Sequence, residues 1–546
     1  MMAASSELME ENSHPSSLLP YNALPGHQDC DSTISDAKPT ADTRTDLYDR
    51  NLTSRKYALV GIAWSSIFGC LCIITGIVAV ANHGIVGVIP LGLSIVDLNY
   101  PLQLSLQLHI SGLMLATIVT LCAESIGFVH GISLRSALAS ESRLHFNTNL
   151  RLLTAARGWR NPNGSLLNGI SVVLLTASYS LPSLILCVDQ QVSHSLDGSI
   201  IQDSAGVAIA GLPLLILGVA LLLQVMIALA AMRAVKILTW SSSPFDLTAA
   251  LVHHAQLTPI PFRCMRRVSD LDAYEGPAKP AETQPSAWDA HPSIRKVVIF
   301  LWVIVTACAG WAALVMYISD RFFSSGNTLA LKTWSFLPNS EDNYIMYDLL
   351  SGSPEGWILF FVNIAVAQGL LTLGLHCSEL IVNVIRDERQ WRCATRRQGL
   401  RVTTNPLVSI FNQPSCVILF IVKPFLHWIF GLSFTIGKSA INDTLRGFLL
   451  SIYTAQIWNL CIALFIFACF FTFVALRRPS GPQPAAYGHL QTLADLVDEW
   501  SPVMWWGHKE DGIPYCHAGT SDHPLPDAKM YCVYAGSGAE SLVPLS

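Results

Sequence analysis

Eight long apolar runs divide this chain, at about 57–82, 108–131, 168–188, 206–232, 297–318, 356–385, 407–435 and 447–476. A bilayer core about 30 Å thick is crossed by roughly 20 consecutive apolar residues in an α-helix. Inside hydrocarbon every backbone amide must find its partner within the segment, so a run of this length has few alternatives to a spanning helix. The fold class expected is therefore all-α, a polytopic membrane helical bundle of about eight spans. Composition agrees: 51% of residues are hydrophobic and only 13% charged, against about 25% charged in an ordinary soluble domain. That balance excludes a soluble cytosolic enzyme and a disordered chain. A net charge of −5 supplies no basic field for phosphates, so no nucleic-acid partner is expected. The partner these runs imply is the lipid bilayer.

Lysine and arginine orient such a bundle, because cytoplasmic loops hold the excess. The connections 83–107 and 189–205 hold no basic residue, whereas 132–167, 233–296 and 386–401 are rich in them. Of the 33 basic residues, 28 fall on one side and four on the other (Arg321, Lys332, Lys438 and Arg446), and Lys423 lies within a run. The alternation never breaks, which puts both termini in the cytoplasm.

The domains expected are a disordered cytoplasmic segment, 1–56, and a first four-span half, 57–232. A cytoplasmic loop follows at 233–296, with a mobile Pro-rich stretch at 276–292. Then come a second half, 297–476, and a cytoplasmic tail, 477–546. In the tail, Leu490, Leu493, Leu496, Val497 and Trp500 recur at helical spacing. They predict an amphipathic helix that lies on the membrane or packs on the cytoplasmic loops. Segment 83–107 is apolar but broken by Gly84, Gly87, Pro90 and Pro101, which suits an interfacial or re-entrant course. The outward loop 318–354 carries Asp320, Glu341, Asp342 and Asp348, a solvated loop or a vestibule that draws cations.

The two halves carry local matches in the same order. Trp64 stands six before Cys70, and Trp302 six before Cys308. Glu124 and Glu379 each end a similar stretch near the inner end of a span. Leu150-Arg151 and Asn161-Pro162 precede the third run; Leu400-Arg401 and Asn405-Pro406 precede the seventh. Pro182 and Pro424 sit late in those runs. Both halves start inside, so a repeat would be parallel, four spans plus four, about an axis along the membrane normal.

Charge within a span is costly, and each instance is a functional hypothesis. Four residues qualify: Glu124, His376, Glu379 and Lys423, with Gln368 two turns outward from Glu379. Two carboxylates that share a low-dielectric site can share a proton. The competing reading pairs each glutamate with a nearby arginine to pin a helix end, while Lys423 snorkels outward. His376 and Glu379 at i,i+3 could contribute to a metal site, but such sites want three or four ligands. The 14 cysteines are scattered, and most lie within apolar runs, as packing residues do. In the tail, His508, Cys516, His517, His523 and Cys532 lack the paired chelating spacings of zinc sites. No cofactor is expected. No HExxH, P-loop or CxxC is present, and no GxSxG with triad partners in sight, which disfavours an enzyme.

Several stretches carry a resemblance. They are Arg143-Leu-His-Phe-Asn-Thr-Asn-Leu-Arg-Leu-Leu-Thr154, Thr372-Leu-Gly-Leu-His-Cys-Ser-Glu379, Leu426-His-Trp-Ile-Phe-Gly-Leu432 and, in the tail, Tyr487-Gly-His-Leu-Gln-Thr-Leu-Ala-Asp-Leu-Val-Asp-Glu-Trp500 with Trp506-Gly-His-Lys509 and His517-Ala-Gly-Thr520. This pattern resembles an uncharacterised family of multi-pass integral membrane proteins of filamentous fungi. The resemblance implies a fungal membrane protein and brings no activity, ligand or catalytic residue with it. Two functions follow from the residues themselves. One is transport of a small solute or ion past Glu124 and Glu379. The other is a membrane scaffold or sensor acting through its cytoplasmic loops and tail.

Overall fold

The computed structural model describes residues 52–85, 88–90, 101–148, 152–194, 200–270, 276–323, 334–338, 344–350, 354–401, 411–441 and 444–536. The N-terminal segment up to residue 51 and most of the acidic loop, Glu341 and Asp342 included, lie outside them. So does 91–100 of the broken apolar segment. Among the described residues, eight helices are long and apolar enough to cross a membrane. They are α1 (Leu52–His83), α2 (Pro101–Ser140), α3 (Ser165–Ser180), α4 (Gly211–Arg233), α5 (Pro292–Phe323), α6 (Pro354–Trp391), α7 (Pro414–Leu432) and α8 (Thr454–Leu476). A short helix, Pro182–Ile185, extends α3 beyond the break at Leu181. The protein is a multi-pass helical membrane protein. Apolar side chains on its outer faces, such as Val60, Ile67, Leu71 and Ile74 on α1, are exposed. Only lipid makes such exposure cheap.

The helix partners are reciprocal between the halves. α1 packs along α4 and α5 along α8, while across the middle α2 meets α7 and α3 meets α6. The strands repeat the exchange. A six-stranded sheet at one end of the bundle runs in the order β1 (Val88–Pro90), β3 (Ile200–Ala210), β2 (Leu186–His194), β6 (Phe434–Ile441), β7 (Thr444–Tyr453), β4 (Tyr344–Leu350). β1 follows α1 and β4 follows α5. β2 follows the third span and β6 the seventh, while β3 and β7 lead into α4 and α8. Swapping the halves therefore maps the sheet onto itself. The central pair, β2 and β6, is parallel, with Val188 opposite Gly437. All other pairs are antiparallel. A parallel pair at the centre is what a two-fold axis running along the strands requires.

The sheet corrects four predicted spans. Residues 186–188 belong to β2, 206–210 to β3, 434–435 to β6 and 447–453 to β7, not to helices. Each is an apolar strand continuous with an apolar helix, and hydrophobicity alone does not mark where one becomes the other.

The opposite end of the bundle, the tail side, is closed by protein. The short helix Leu490–Leu496 packs on another, Pro244–His253. The helix ends at Leu496, short of the predicted stripe; Leu490 is buried against Leu247 and Leu251, and Leu493, Leu496, Val497 and Trp500 with Phe245, Trp391, Trp506 and Tyr534, so the stripe faces protein and not headgroups. A three-stranded sheet, β5 (Leu400–Arg401), β8 (Val503–Glu510) and β9 (His517–Ser521), completes the unit. The Pro-rich stretch, expected to be mobile, is pinned to the tail. Ala278 and Tyr534 exchange backbone hydrogen bonds at 2.9 Å, and Gly481 N–H donates to Glu282 at 2.8 Å. Prolines lack the donors for a helix but leave enough partners for these isolated bridges.

Candidate functional site

Three long helices and the break after α3 meet at one point in the bundle. On α6, Gln368, Thr372, His376 and Glu379 follow at i, i+4, i+8 and i+11, one face of a helix. On α7, Lys423 and His427 are one turn apart. α2 supplies Glu124, and α3 supplies Tyr179 just before Pro182.

Lys423 Nζ donates to Glu124 Oε1 at 2.6 Å and also to Glu379 Oε1. His376 Nδ1 lies 2.8 Å from that same Glu379 oxygen and 3.9 Å from Glu124 Oε1. The lysine and histidine are almost fully buried (2% and 4% exposed), whereas the glutamates show 29% and 27% of their side chains. Lys423 thus does not snorkel, and both glutamates bind it. With Lys423 and both carboxylates charged and His376 neutral, the cluster carries one negative charge. One proton or one further cation would neutralise it. A buried charge is tolerated only when paired or hydrogen-bonded, and the buried Lys423 ammonium here has two carboxylate partners.

The next layer lies toward the sheet. The Gln368 amide is hydrogen-bonded to His427 Nδ1, and Tyr179 stacks on the His427 ring at 3.8 Å between centroids. Tyr179 also lies 5.6 Å from the His376 ring. His427 Nε2 and Gln368 Oε1 are buried with no hydrogen-bond partner among the described residues. Buried polar atoms are nearly always satisfied, so each such atom in a native structure calls for an explanation.

Cavities approach this polar layer from both ends. On the tail side a cavity of about 410 Å³ has Glu124, Glu379 and Lys423 in its wall, with Arg135, Asn147 and Arg386 nearer the tail. On the sheet side one of about 60 Å³ reaches His427 between His109, Ser183 and Trp428. The first could admit a small solute, the second a few waters. What separates them is the one-turn step from Lys423 to His427.

Arg135 and Arg386 looked like loop charges in the sequence. Both are buried and organise the mouth. Arg135 donates to Asn147 Oδ1 at 2.7 Å and to Ser241 O at 2.9 Å, and Asn147 Nδ2 donates to Asp387 Oδ2 at 2.8 Å. Arg386 Nη2 donates to Asp387 Oδ1 at 3.0 Å. Sequence reasoning missed Tyr179, Asn147 and Asp387. A tyrosine in an apolar span carries no warning, Asn147 stands in a polar loop four residues from the nearest arginine, and Asp387 follows Arg386, which already had an explanation.

Glu124, His376 and Glu379 offer donor atoms within 4.8 Å of one another. An ammonium already bridges these carboxylates, and a metal ion would have to displace it. Comparison of the chain with protein-family models, curated proteins and solved structures gives no match, so the reading rests on this geometry.

Proposed function

We propose that the protein is a transporter that moves a small solute or ion and binds a proton or cation at Glu124, Glu379 and His376. The observation that carries this is the Lys423 ammonium shared by two membrane-embedded glutamates in the wall of a 410 Å³ cavity. In the proposed cycle Lys423 acts as the resident counter-ion. An incoming proton or cation takes over one glutamate, and Lys423 stays with the other. His376 would accept or pass the proton, and Gln368, His427 and Tyr179 would extend the path toward the sheet. With the termini in the cytoplasm, as the distribution of 28 against four basic residues supports, the larger cavity opens inward.

The test is flux in reconstituted vesicles under an imposed pH gradient, with a pH dye enclosed. Wild type is expected to collapse the gradient, and Glu379→Gln to slow the collapse at least about tenfold, the effect of losing roughly 1.4 kcal/mol at the site. Equal rates in both proteins would remove the proton-site reading.

A second reading, a scaffold or sensor, is favoured by the folded tail, which bonds to both halves. Asn147 N–H donates to Gly488 O at 2.8 Å, and Glu388 of α6 accepts from the amides of Ala486 and Tyr487. No gradient collapse by wild type, together with a stable partner captured by the tail in cells, would move the assignment there.

A further inference from the structure

The tail brings together four side chains that are far apart in sequence. β8 ends in a bulge between His508 and Glu510, and the chain then turns through Asp511 to Cys516. Cys516 forms a parallel bridge with Tyr534. Its N–H donates to Val533 O at 2.9 Å, and its carbonyl accepts from Ala535 at 3.1 Å. A tight turn, Cys532 N–H to Lys529 O at 3.1 Å, delivers the second cysteine. The irregular spacing that hides these residues in the sequence is bridged by strand pairing.

Three of the donor atoms converge. His508 Nε2 lies 3.1 Å from Asp511 Oδ1, and Cys516 Sγ lies 3.8 Å from that oxygen. All three donor atoms fall within 4.8 Å of one another. Cys532 lies two residues before Tyr534, whose hydroxyl meets His508 and whose backbone bridges Cys516, so the turn brings it beside these three. Zinc bonds of 2.0–2.3 Å at tetrahedral angles put neighbouring ligand atoms roughly 3.3–3.8 Å apart. The outer contacts match as well. His508 Nδ1 lies 2.9 Å from the Tyr534 hydroxyl, the kind of partner that fixes a ligating imidazole and turns Nε2 to the metal. Lys529 Nζ holds both Asp511 oxygens, at 2.5 and 2.7 Å, so one can remain with the lysine while the other ligates. His517, next to Cys516 on the strand, points elsewhere and pairs with Asp498 at 2.9 Å.

We infer that the tail is a zinc-binding module in which His508, Asp511 and Cys516 take one Zn²⁺ and Cys532, from the neighbouring turn, moves in to complete the tetrahedron. Two sulfurs, an imidazole and a carboxylate form a donor set suited to zinc rather than to magnesium or calcium. The ion would tie the end of β8 to the last described segment, and through the Ala278–Tyr534 bridge to the loop between the two halves. This reading is independent of transport.

The experiment uses the full-length protein purified in detergent with reductant and no chelator. About one zinc per chain is expected by elemental mass spectrometry. Exchange with Co²⁺ should give intense near-ultraviolet thiolate-to-cobalt absorption in wild type, a signal that needs no variant to fold. Cys516→Ser and Cys532→Ser should each lose the zinc, Tyr534→Phe should weaken it about tenfold, and Glu379→Gln should keep it in full. The inference is overturned by wild type without zinc and without the cobalt band, by a Cys516–Cys532 disulfide in protein isolated from cells, or by zinc that survives both serine substitutions and leaves with Glu379→Gln.

Discussion

Between α1 and α4 of the first half the helices approach through glycines; between α5 and α8 of the second they approach through sulfur, hydroxyl and ring. A Cβ at Gly76 would stand 2.7 Å from the backbone nitrogen of Leu215, and one at Gly218 would stand 2.6 Å from the Gly69 carbonyl. The equivalent contact in the second half uses Cys308 Sγ on Ile457 O, Cys461 Sγ on Val305 O and Trp302 Nε1 on Thr472 Oγ1 at 3.1 Å. The topology is the same and the filling differs. The polar layer divides the same way. Aligning Glu124 with Glu379 sets Leu113 against Gln368 and Leu121 against His376, and aligning Pro182 with Pro424 sets Leu181 against Lys423 and Ile185 against His427. The first half supplies a carboxylate and Tyr179. The second supplies a carboxylate, the amide, both imidazoles and the ammonium. Most polar groups of the layer thus come from the second half, and one glutamate from each half binds the same lysine.

The sharpest way to break this comparison is at Lys423. Removing one partner of a buried ion pair costs about 3–5 kcal/mol, and Lys423→Leu would leave two carboxylates facing each other. Its melting temperature should fall further than that of any other single variant considered, and gradient collapse should stop. If the halves are equivalent about the site, a lysine at position 181 reaches the same two glutamates from α3. Leu181→Lys placed on Lys423→Leu should then recover at least half of the lost melting temperature. A double variant that melts no higher than Lys423→Leu would show that the symmetry ends short of the site.

The two glutamates come next. Glu379 bonds to both Lys423 and His376, whereas Glu124 bonds to Lys423 and stands 3.9 Å from His376. A hydrogen bond to a charged group is worth about 1.5–3 kcal/mol, so Glu379→Gln should destabilise by one such bond more than Glu124→Gln. Chemical denaturation of the two variants side by side measures the difference, and equal midpoints would make the site symmetric in energy as well as in position.

The helix seams should respond less, and unequally. Overpacking a tight interface costs about 1–3 kcal/mol, so Gly218→Val should lower the melting temperature by several degrees. Cys308→Ala, which loses one weak sulfur contact in the second half, should cost less than half as much. A reversed order would mean that the glycine seam yields and the sulfur seam holds the bundle.

Much of the frame was legible because hydrocarbon permits so few structures. Apolar length located eight spans, and the cost of buried charge singled out Glu124, His376, Glu379 and Lys423 before any geometry was known. What stayed hidden was non-local. The apolar segments 206–210 and 447–453 read as helix because their strand partners are remote in sequence. Arg135 and Arg386 passed as orientation signals because the groups that bury them, Asn147 and the Ser241 and Ser242 carbonyls, come from loops beyond their own helices. Cys516 is brought to the segment of Cys532 by the Cys516–Tyr534 bridge, so their spacing alone argued against a site.

The smallest expected effect lies in the tail, where two nearby carboxylates repeat the contrast between a strained and a satisfied charge. Burial raises Asp498, but hydrogen bonds from His517, Lys509 and Thr520 outweigh it and hold the carboxyl at about 2. Burial raises Asp495 to about 6, only partly offset by hydrogen bonds from Ile260 N–H and the Gln491 amide. The signs are opposite. Asp498 contributes stability that is complete above its unfolded value near 3.9 and is lost as pH falls toward 2. Asp495 favours the fold most below about pH 4, and that advantage drains away as pH rises through 6. Asp495→Asn keeps an oxygen that can accept the Ile260 amide, so it should melt a few degrees above wild type at pH 7 and level with it near pH 4. Asp498→Asn should melt below wild type at pH 7. A gain for Asp495→Asn that persisted unchanged at pH 4 would mean that the asparagine improves packing and that ionisation of Asp495 in the fold costs nothing.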